Sequence, residues 1–251
     1  MPLTIEQALA QLDSFLADSV SHPDFVRHRE RYRSDAALVL EHERDGRVLE
    51  IGSAPCHASG LMKLIGIDVL GIDLDPQRCQ ALIDQYELSV TRCDIEREAL
   101  PLADASVPLV LFAETLEHLR VDPLFVLSEI NRVLAPGGTL LLTTPNLYSA
   151  QNIVRFIAGR GINDAYSEFS KLRRLGHMGH VREYTPAEVQ RVLRESGFAI
   201  EAREFKHYYF PGTRRGRVAR LTFAILPKRF RTYQIVVARK VDASPGLSPL
   251  Y

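Results

Sequence analysis

Between residues 47 and 144 the chain alternates apolar, strand-like runs with helical spacings, and this alternation constrains its fold more than any other feature. The runs fall at 47–52, 67–73, 88–93, 107–113 and 138–144, and helical spacings fill about 58–65, 76–85 and 121–134. Strands joined through helices pair in parallel, and a parallel sheet has to be covered on both faces. The expected class is therefore α/β, a Rossmann-like doubly wound sheet. Two further strand-like runs, 198–205 and 231–238, are separated by a Pro, Gly and Arg-rich stretch and read as an antiparallel C-terminal hairpin. Together they predict a seven-stranded, mostly parallel sheet preceded by N-terminal helices.

Local chemistry sets the boundaries. Residues 1–45 read as a helical segment with a break at Pro23, because Ile5, Leu9, Leu12 and Phe15 recur at three- and four-residue spacing. Residues 46–240 form the main domain. Within it Asp75-Pro76 reads as a helix start, Pro136-Gly137-Gly138 as a helix stop ahead of the fifth strand, and Thr185-Pro186-Ala187-Glu188 as a capping box. The stretch 147–184 has little regular signal and is expected to cover a substrate. Residues 209–230 read as a basic insertion and 241–251 as a flexible tail.

Lys plus Arg and Asp plus Glu number 31 each, so no overall field favours nucleic acid or a membrane. Ten Lys or Arg and no acid lie between 206 and 240, a local basic patch that is read first as a solvated surface. The other readings are a site for a phosphorylated or lipid-linked acceptor at a membrane surface, and an RNA contact. The N-terminus lacks the pattern of an export signal and no window is apolar enough to span a bilayer, so a cytoplasmic location is expected. Cys56, Cys79 and Cys93 are odd in number and lack a C-x-x-C pair, which argues against a disulfide framework.

In such a sheet, ligands bind beyond the carboxyl ends of the strands, and here those ends are acidic. Strand one ends at Glu50-Ile51-Gly52, strand two at Asp73, strand three at Asp94-Ile95 and strand four at Glu114. Glu50 would repel a pyrophosphate and suits an ammonium-bearing ligand. Asp73, about 20 residues beyond the first Gly, is spaced to accept both hydroxyls of a ribose, and Asp94 is placed for an adenine amine.

These segments resemble the class I S-adenosylmethionine-dependent methyltransferases, in particular the bacterial type 11 branch. The matching stretches are Val48 to Gly52, Gly71 to Pro76, Leu100 to Asp104, Leu116 to Leu119 and Val133 to Gly138. The resemblance implies that Glu50 and Gly52 hold the methionine moiety of S-adenosylmethionine, Asp73 the ribose, and Asp94 with Ile95 the adenine. Ser53, Ala54, Leu74 and Glu114 complete the expected cofactor-binding set. The sequence departs from the family where Ala54, Pro55 and Cys56 replace a glycine-rich loop, because a positive φ at Ala54 or Cys56 would be strained.

Glu114-Thr115-Leu116-Glu117-His118 places two carboxylates and an imidazole at i, i+3 and i+4. With His180, and His177 as its substitute, this set is similar to the metal site of the O-methyltransferases of ubiquinone biosynthesis and small-RNA 3′-end modification. The similarity implies Glu114, Glu117, His118 and His180 as ligands of Mg²⁺, Mn²⁺ or Zn²⁺. Without a metal, His118 or His180 is the expected catalytic base. The expected activity is O-methylation of a small-molecule or glycan hydroxyl, the latter by analogy to methyltransferases associated with surface-polysaccharide synthesis. Two alternatives stand beside it: an RNA 2′-O-methyltransferase, and a non-catalytic binding or scaffold protein on the same fold.

Overall fold

The structure is a computed structural model that describes residues 2–43, 46–175, 179–209 and 223–250. Seven strands form one sheet in the order β3-β2-β1-β4-β5-β7-β6. They are β1 Val48–Ile51, β2 Val69–Asp73, β3 Ser89–Arg92, β4 Val107–Ala113, β5 Leu134–Pro145, β6 Phe198–Lys206 and β7 Tyr233–Lys240. The first five pair in parallel, with Val48 opposite Val69 on one side and Leu109 on the other. β7 runs antiparallel between β5 and β6, as expected for a C-terminal hairpin. The chain leaves β1 toward β2 and β3, then crosses back to β4 and β5. That reversal opens a crevice beyond the carboxyl ends of β1 and β4.

Every residue of β1 is buried, which is what a central parallel strand covered on both faces requires. One face carries α1 Ile5–Leu16, α2 His22–His42, α3 His57–Leu64 and α4 Gln80–Tyr86; the other carries α5 Pro123–Val133 and α8 Pro186–Glu195. Leu9, Leu12 and Phe25 share a core with Leu61, Leu109 and Leu141, so the N-terminal helices are built into the main domain. Thr4 and Gln7 form a capping box that opens α1. Pro23 lies in the first turn of α2, where its missing N–H costs nothing, so the break between the two helices precedes it. The Thr185 capping box opens α8 as the sequence predicts. On the opposite face Val126, Ile130, Val189 and Leu193 pack against Ile51, Leu140 and Val236.

Three expectations are corrected. Pro136-Gly137-Gly138 does not end a helix, because α5 has already closed at Val133; the three residues lie inside β5, where pairing with β4 slips register between Val107 and Leu109. The 147–184 stretch is not irregular, since it holds α6 Ala150–Ile157 and α7 Ala165–Leu175. Val154, Phe156 and Ile157 of α6 point to solvent and only Asn152 is buried, so its apolar stripe, though spaced for a helix, faces away from the core. Finally, Cys56 and Cys79 are joined in a disulfide with Cα atoms 6.0 Å apart, against the expectation drawn from an odd cysteine count. The odd residue is Cys93, buried and unpaired at the end of β3. No described helix is long and apolar enough to cross a membrane.

Candidate active site

A cleft of about 580 Å³ opens at the carboxyl ends of β1 to β4, and its lining includes Gly52, Ala54, Asp73, Leu74, Asp94, Ile95 and Glu114. Its geometry starts at the loop after β1. Gly52 has φ +77°, and a Cβ there would lie 2.2 Å from the Thr115 hydroxyl, so only glycine fits. Thr115 in turn donates to the Ile51 carbonyl at 3.2 Å and ties the loops after β1 and β4 together. Cys56 takes the left-handed conformation, φ +62°, at the start of α3; the strain expected of a non-glycine residue in this loop therefore falls there.

Asp73 is the organiser of the cleft. One carboxylate oxygen accepts from the Ala54 N–H at 2.9 Å and the other from the Asp75 N–H at 2.8 Å, with Arg78 3.5 Å away. The predicted helix start at Asp75-Pro76 is a short 3-10 turn, Pro76–Cys79, and the Asp75 side chain caps nothing. Asp73 instead holds the Asp75 N–H just ahead of that turn, which fixes its carboxylate at the cleft wall. Each of its oxygens keeps acceptor capacity for a ribose hydroxyl, so this wall fits the nucleoside half of S-adenosylmethionine.

Glu50 and Ser53 line neither this cleft nor the chamber beside it. Glu50 is buried beneath the loop and accepts from the Ser59 hydroxyl; burial pushes its carboxyl up to about 8. Leu74 is half exposed at the rim, and Asp94 accepts from the Glu96 N–H at 3.2 Å.

A second chamber of about 380 Å³ adjoins the first and shares Gly52, Ala54, Glu114 and His118 with it. Its other walls are Arg27, His28 and Arg31 from α2, with Ala113, Glu117, His180 and Tyr233. Glu114 follows β4 at φ +50°, a sharp turn that precedes a 3-10 turn at Leu116–His118. Glu117 is fully buried; one oxygen accepts from the Thr144 hydroxyl at 2.9 Å, while Oε1 has no hydrogen-bond partner. Burial raises its carboxyl above the ordinary range. The Glu117 carbonyl accepts from the Val181 N–H at 2.8 Å, which locks the 179–184 strand of chain over the turn.

That lock delivers His180. Its Nε2 lies 3.9 Å from Glu117 Oε1, and its Nδ1 donates to Glu183 at 3.3 Å. Burial depresses the imidazole, but Glu183 and Glu117 outweigh it and hold the pKa above the usual value. His118 Nδ1 donates to the Gly179 carbonyl at 2.9 Å, so its neutral ring carries the lone pair on Nε2. The two imidazoles meet edge to face at 5.1 Å.

Glu117, His118 and His180 thus bring three ligating atoms within 4.8 Å of one another, and the unpaired Glu117 oxygen fits a cation among them. Glu114 stands outside that group, against expectation. Its carboxylate is taken by Arg31 at 3.6 Å and the Thr143 hydroxyl at 3.1 Å, and burial with the neighbouring Glu117 charge raises it to about 8. His177 and the basic residues Arg214, Arg215, Arg217 and Arg220 lie outside the described residues. His57 opens α3 fully buried between Tyr32 at 3.1 Å and Ser21 at 3.3 Å. Sequence reasoning missed Arg27 and Arg31, whose only signal was their i, i+4 spacing on an N-terminal helix.

Residues 49–142 match the family described as a methyltransferase domain. A Mycolicibacterium smegmatis protein named a "probable S-adenosylmethionine-dependent methyltransferase" is 33% identical over 181 residues, 70% of this chain and 60% of its own length. A ubiquinone biosynthesis O-methyltransferase from Psychrobacter arcticus is 27% identical over 177 residues, 64% of this chain and 62% of its own. The chain thus spans about three fifths of the length of these curated relatives. Among solved structures, a chain of the Haloferax volcanii complex between a methyltransferase activator and a methyltransferase aligns with a TM-score of 0.63 at 20% identity, covering 92% of this chain and 97% of that one. An Archaeoglobus fulgidus S-adenosylmethionine-dependent methyltransferase aligns at 0.58 and 17% identity, over 87% of this chain and all of its own length. The strand order, the acid-lined cleft and these matches agree: residues 49–142 match a methyltransferase domain, and over about 70% of its length the chain is similar to S-adenosylmethionine-dependent methyltransferases.

Proposed function

We propose that the chain methylates a hydroxyl of a small molecule or glycan held in the second chamber. The observation that supports this most is the shared wall: Gly52, Ala54, Glu114 and His118 line both cavities, so a group in one faces a group in the other. Gly52, Ala54, Asp73, Leu74, Asp94 and Ile95 would hold S-adenosylmethionine, which supplies an electrophilic methyl on a sulfonium. The protein's part is to place an acceptor oxygen in line and to take its proton.

Neutral His180 is built for that proton. Glu183 fixes its Nδ1–H, leaving Nε2 as the base beside the chamber, and buried Glu117 stabilises the imidazolium that forms. A divalent cation held by Glu117, His118 and His180 would instead lower the pKa of the acceptor hydroxyl. The name of the ubiquinone biosynthesis relatives, O-methyltransferase, favours an oxygen acceptor.

The test is transfer of labelled methyl from S-adenosylmethionine to a panel of catechols and sugars, before and after exhaustive chelation. Loss of transfer on chelation with cofactor binding intact supports the metal-assisted route. Transfer that survives chelation leaves His180 as base. Labelling of nitrogen acceptors alone would contradict the proposal.

A further inference from the structure

α6 and α7 are built inside out. Six of the large apolar side chains that the described residues expose fall within 148–169: Tyr148, Val154, Phe156, Ile157, Tyr166 and Phe169. Ile157 and Tyr166 are each 83% exposed. What the two helices turn inward is polar. Asn152 of α6, buried on the side away from Val154 and Ile157, donates to Glu183 at 3.0 Å, and Glu183 in turn holds His180. Glu168 of α7, also buried, accepts from the Gly179 N–H at 2.8 Å and from Lys171. These bonds commit the polar sides of both helices to the 179–184 segment and leave the apolar sides facing water.

A single exposed apolar residue is ordinary, but a cluster of them marks a contact surface. The charges around this cluster point to its partner. Arg155, Arg160 and Arg173 are exposed on the same stretch, against one exposed acid, Asp164. Asn146 donates to the carbonyls of Arg229 and Arg231 at 2.8 Å, which sets exposed Lys228 and Arg229 beside the start of α6, where Tyr148 packs on Phe230 at 5.4 Å. A second copy of the chain would set like charges against each other across this face. A rigid protein groove would need a pocket for each protruding side chain. The acyl boundary of a bilayer takes apolar side chains in any arrangement, while arginines reach its headgroups.

We propose that α6 and α7 form a docking surface for an anionic lipid bilayer, their apolar side chains entering the headgroup boundary and their arginines meeting lipid phosphates. The contact stands apart from the methyl-transfer reading, because its apolar residues and arginines line neither cavity. Asn152 and Glu168 nevertheless set this surface against the segment that walls the second chamber.

The experiment is co-sedimentation of the full chain with vesicles of phosphatidylcholine alone and of phosphatidylcholine mixed equally with phosphatidylglycerol, at low and at high salt. Binding is expected on the mixed vesicles, weaker on phosphatidylcholine, and should fall with salt. I157E on α6 and Y166E on α7 should each weaken it about tenfold, the loss of one buried apolar side chain. Both positions are so exposed that the variants are expected to fold, which an unchanged circular dichroism spectrum checks. V20E, at an equally exposed apolar residue between α1 and α2, should leave binding unchanged. Absence of binding to the mixed vesicles, equal binding to both kinds, indifference to I157E or Y166E, or an equal loss in V20E would each overturn the surface. A dimer that I157E dissociates, without vesicle binding, would assign the face to a second copy of the chain instead.

Discussion

The two adjoining cavities are built by different means. The cofactor cleft is made from strand ends and backbone: Gly52 passes under Thr115, and Asp73 gathers the N–H groups of Ala54 and Asp75. The acceptor chamber is made from side chains delivered by distant segments, α2 from one side and residues 179–184 from the other, onto the turn that follows β4. The cleft is consequently fixed by topology, whereas the chamber is fixed by buried charge. Two acids of its lining, Glu114 and Glu117, are pushed upward by burial. A fold can keep the first kind of site while it changes the second, which is how one cofactor can serve many acceptors.

If that division is right, substitutions should separate the cavities. The largest effect is expected for E117Q, which removes the charge facing His180: methyl transfer should drop by about 10²–10³-fold, within the usual range for a proton-transfer partner, with cofactor affinity nearly unchanged. Loss of affinity in step with rate would merge the two regions. D73A should do the reverse and weaken S-adenosylmethionine about 10–100-fold, the value of one or two charge-assisted bonds, while D75A has little effect. Calorimetry on both variants decides this, and equal losses would show that the ribose contact is misplaced.

The legibility of the two regions follows the same line. Asp73 and Asp94 could be read because a parallel strand has to end where its ligands bind, and the Thr185 box because capping is local. Arg27 and Arg31 could not, because nothing in an arginine-rich helix distinguishes a solvated face from one turned to a chamber. The 23-residue separation of Cys56 and Cys79 carried no signal either, since only the fold brings the loops after β1 and β2 together. Glu50 stands at the strand end as read, buried beneath the loop and bonded to Ser59.

A smaller effect concerns pH. His180 acts as base only when neutral and its pKa is raised, so the rate should climb as pH passes above the ordinary imidazole value. E183Q removes a partner of the charged form, so the inflection should move to lower pH; a profile unchanged by E183Q would take proton transfer away from His180. The smallest effect lies in stability. Asp35 rises to about 7, and Glu50 and Glu114 to about 8. The native state therefore keeps protons that the unfolded chain releases at the ordinary values, 3.8 for Asp35 and 4.5 for Glu50 and Glu114, and their contribution is lost as pH rises toward 8. Urea midpoints measured across that window should fall, and fall less steeply in E50Q; a parallel slope would mean that Glu50 is ionised throughout.

All of this depends on the first cavity holding its cofactor. Calorimetric titration of S-adenosylmethionine into the wild-type chain tests that claim most directly. The predicted result is saturable one-to-one binding that D73A weakens. Heats no larger than dilution up to millimolar ligand would contradict it.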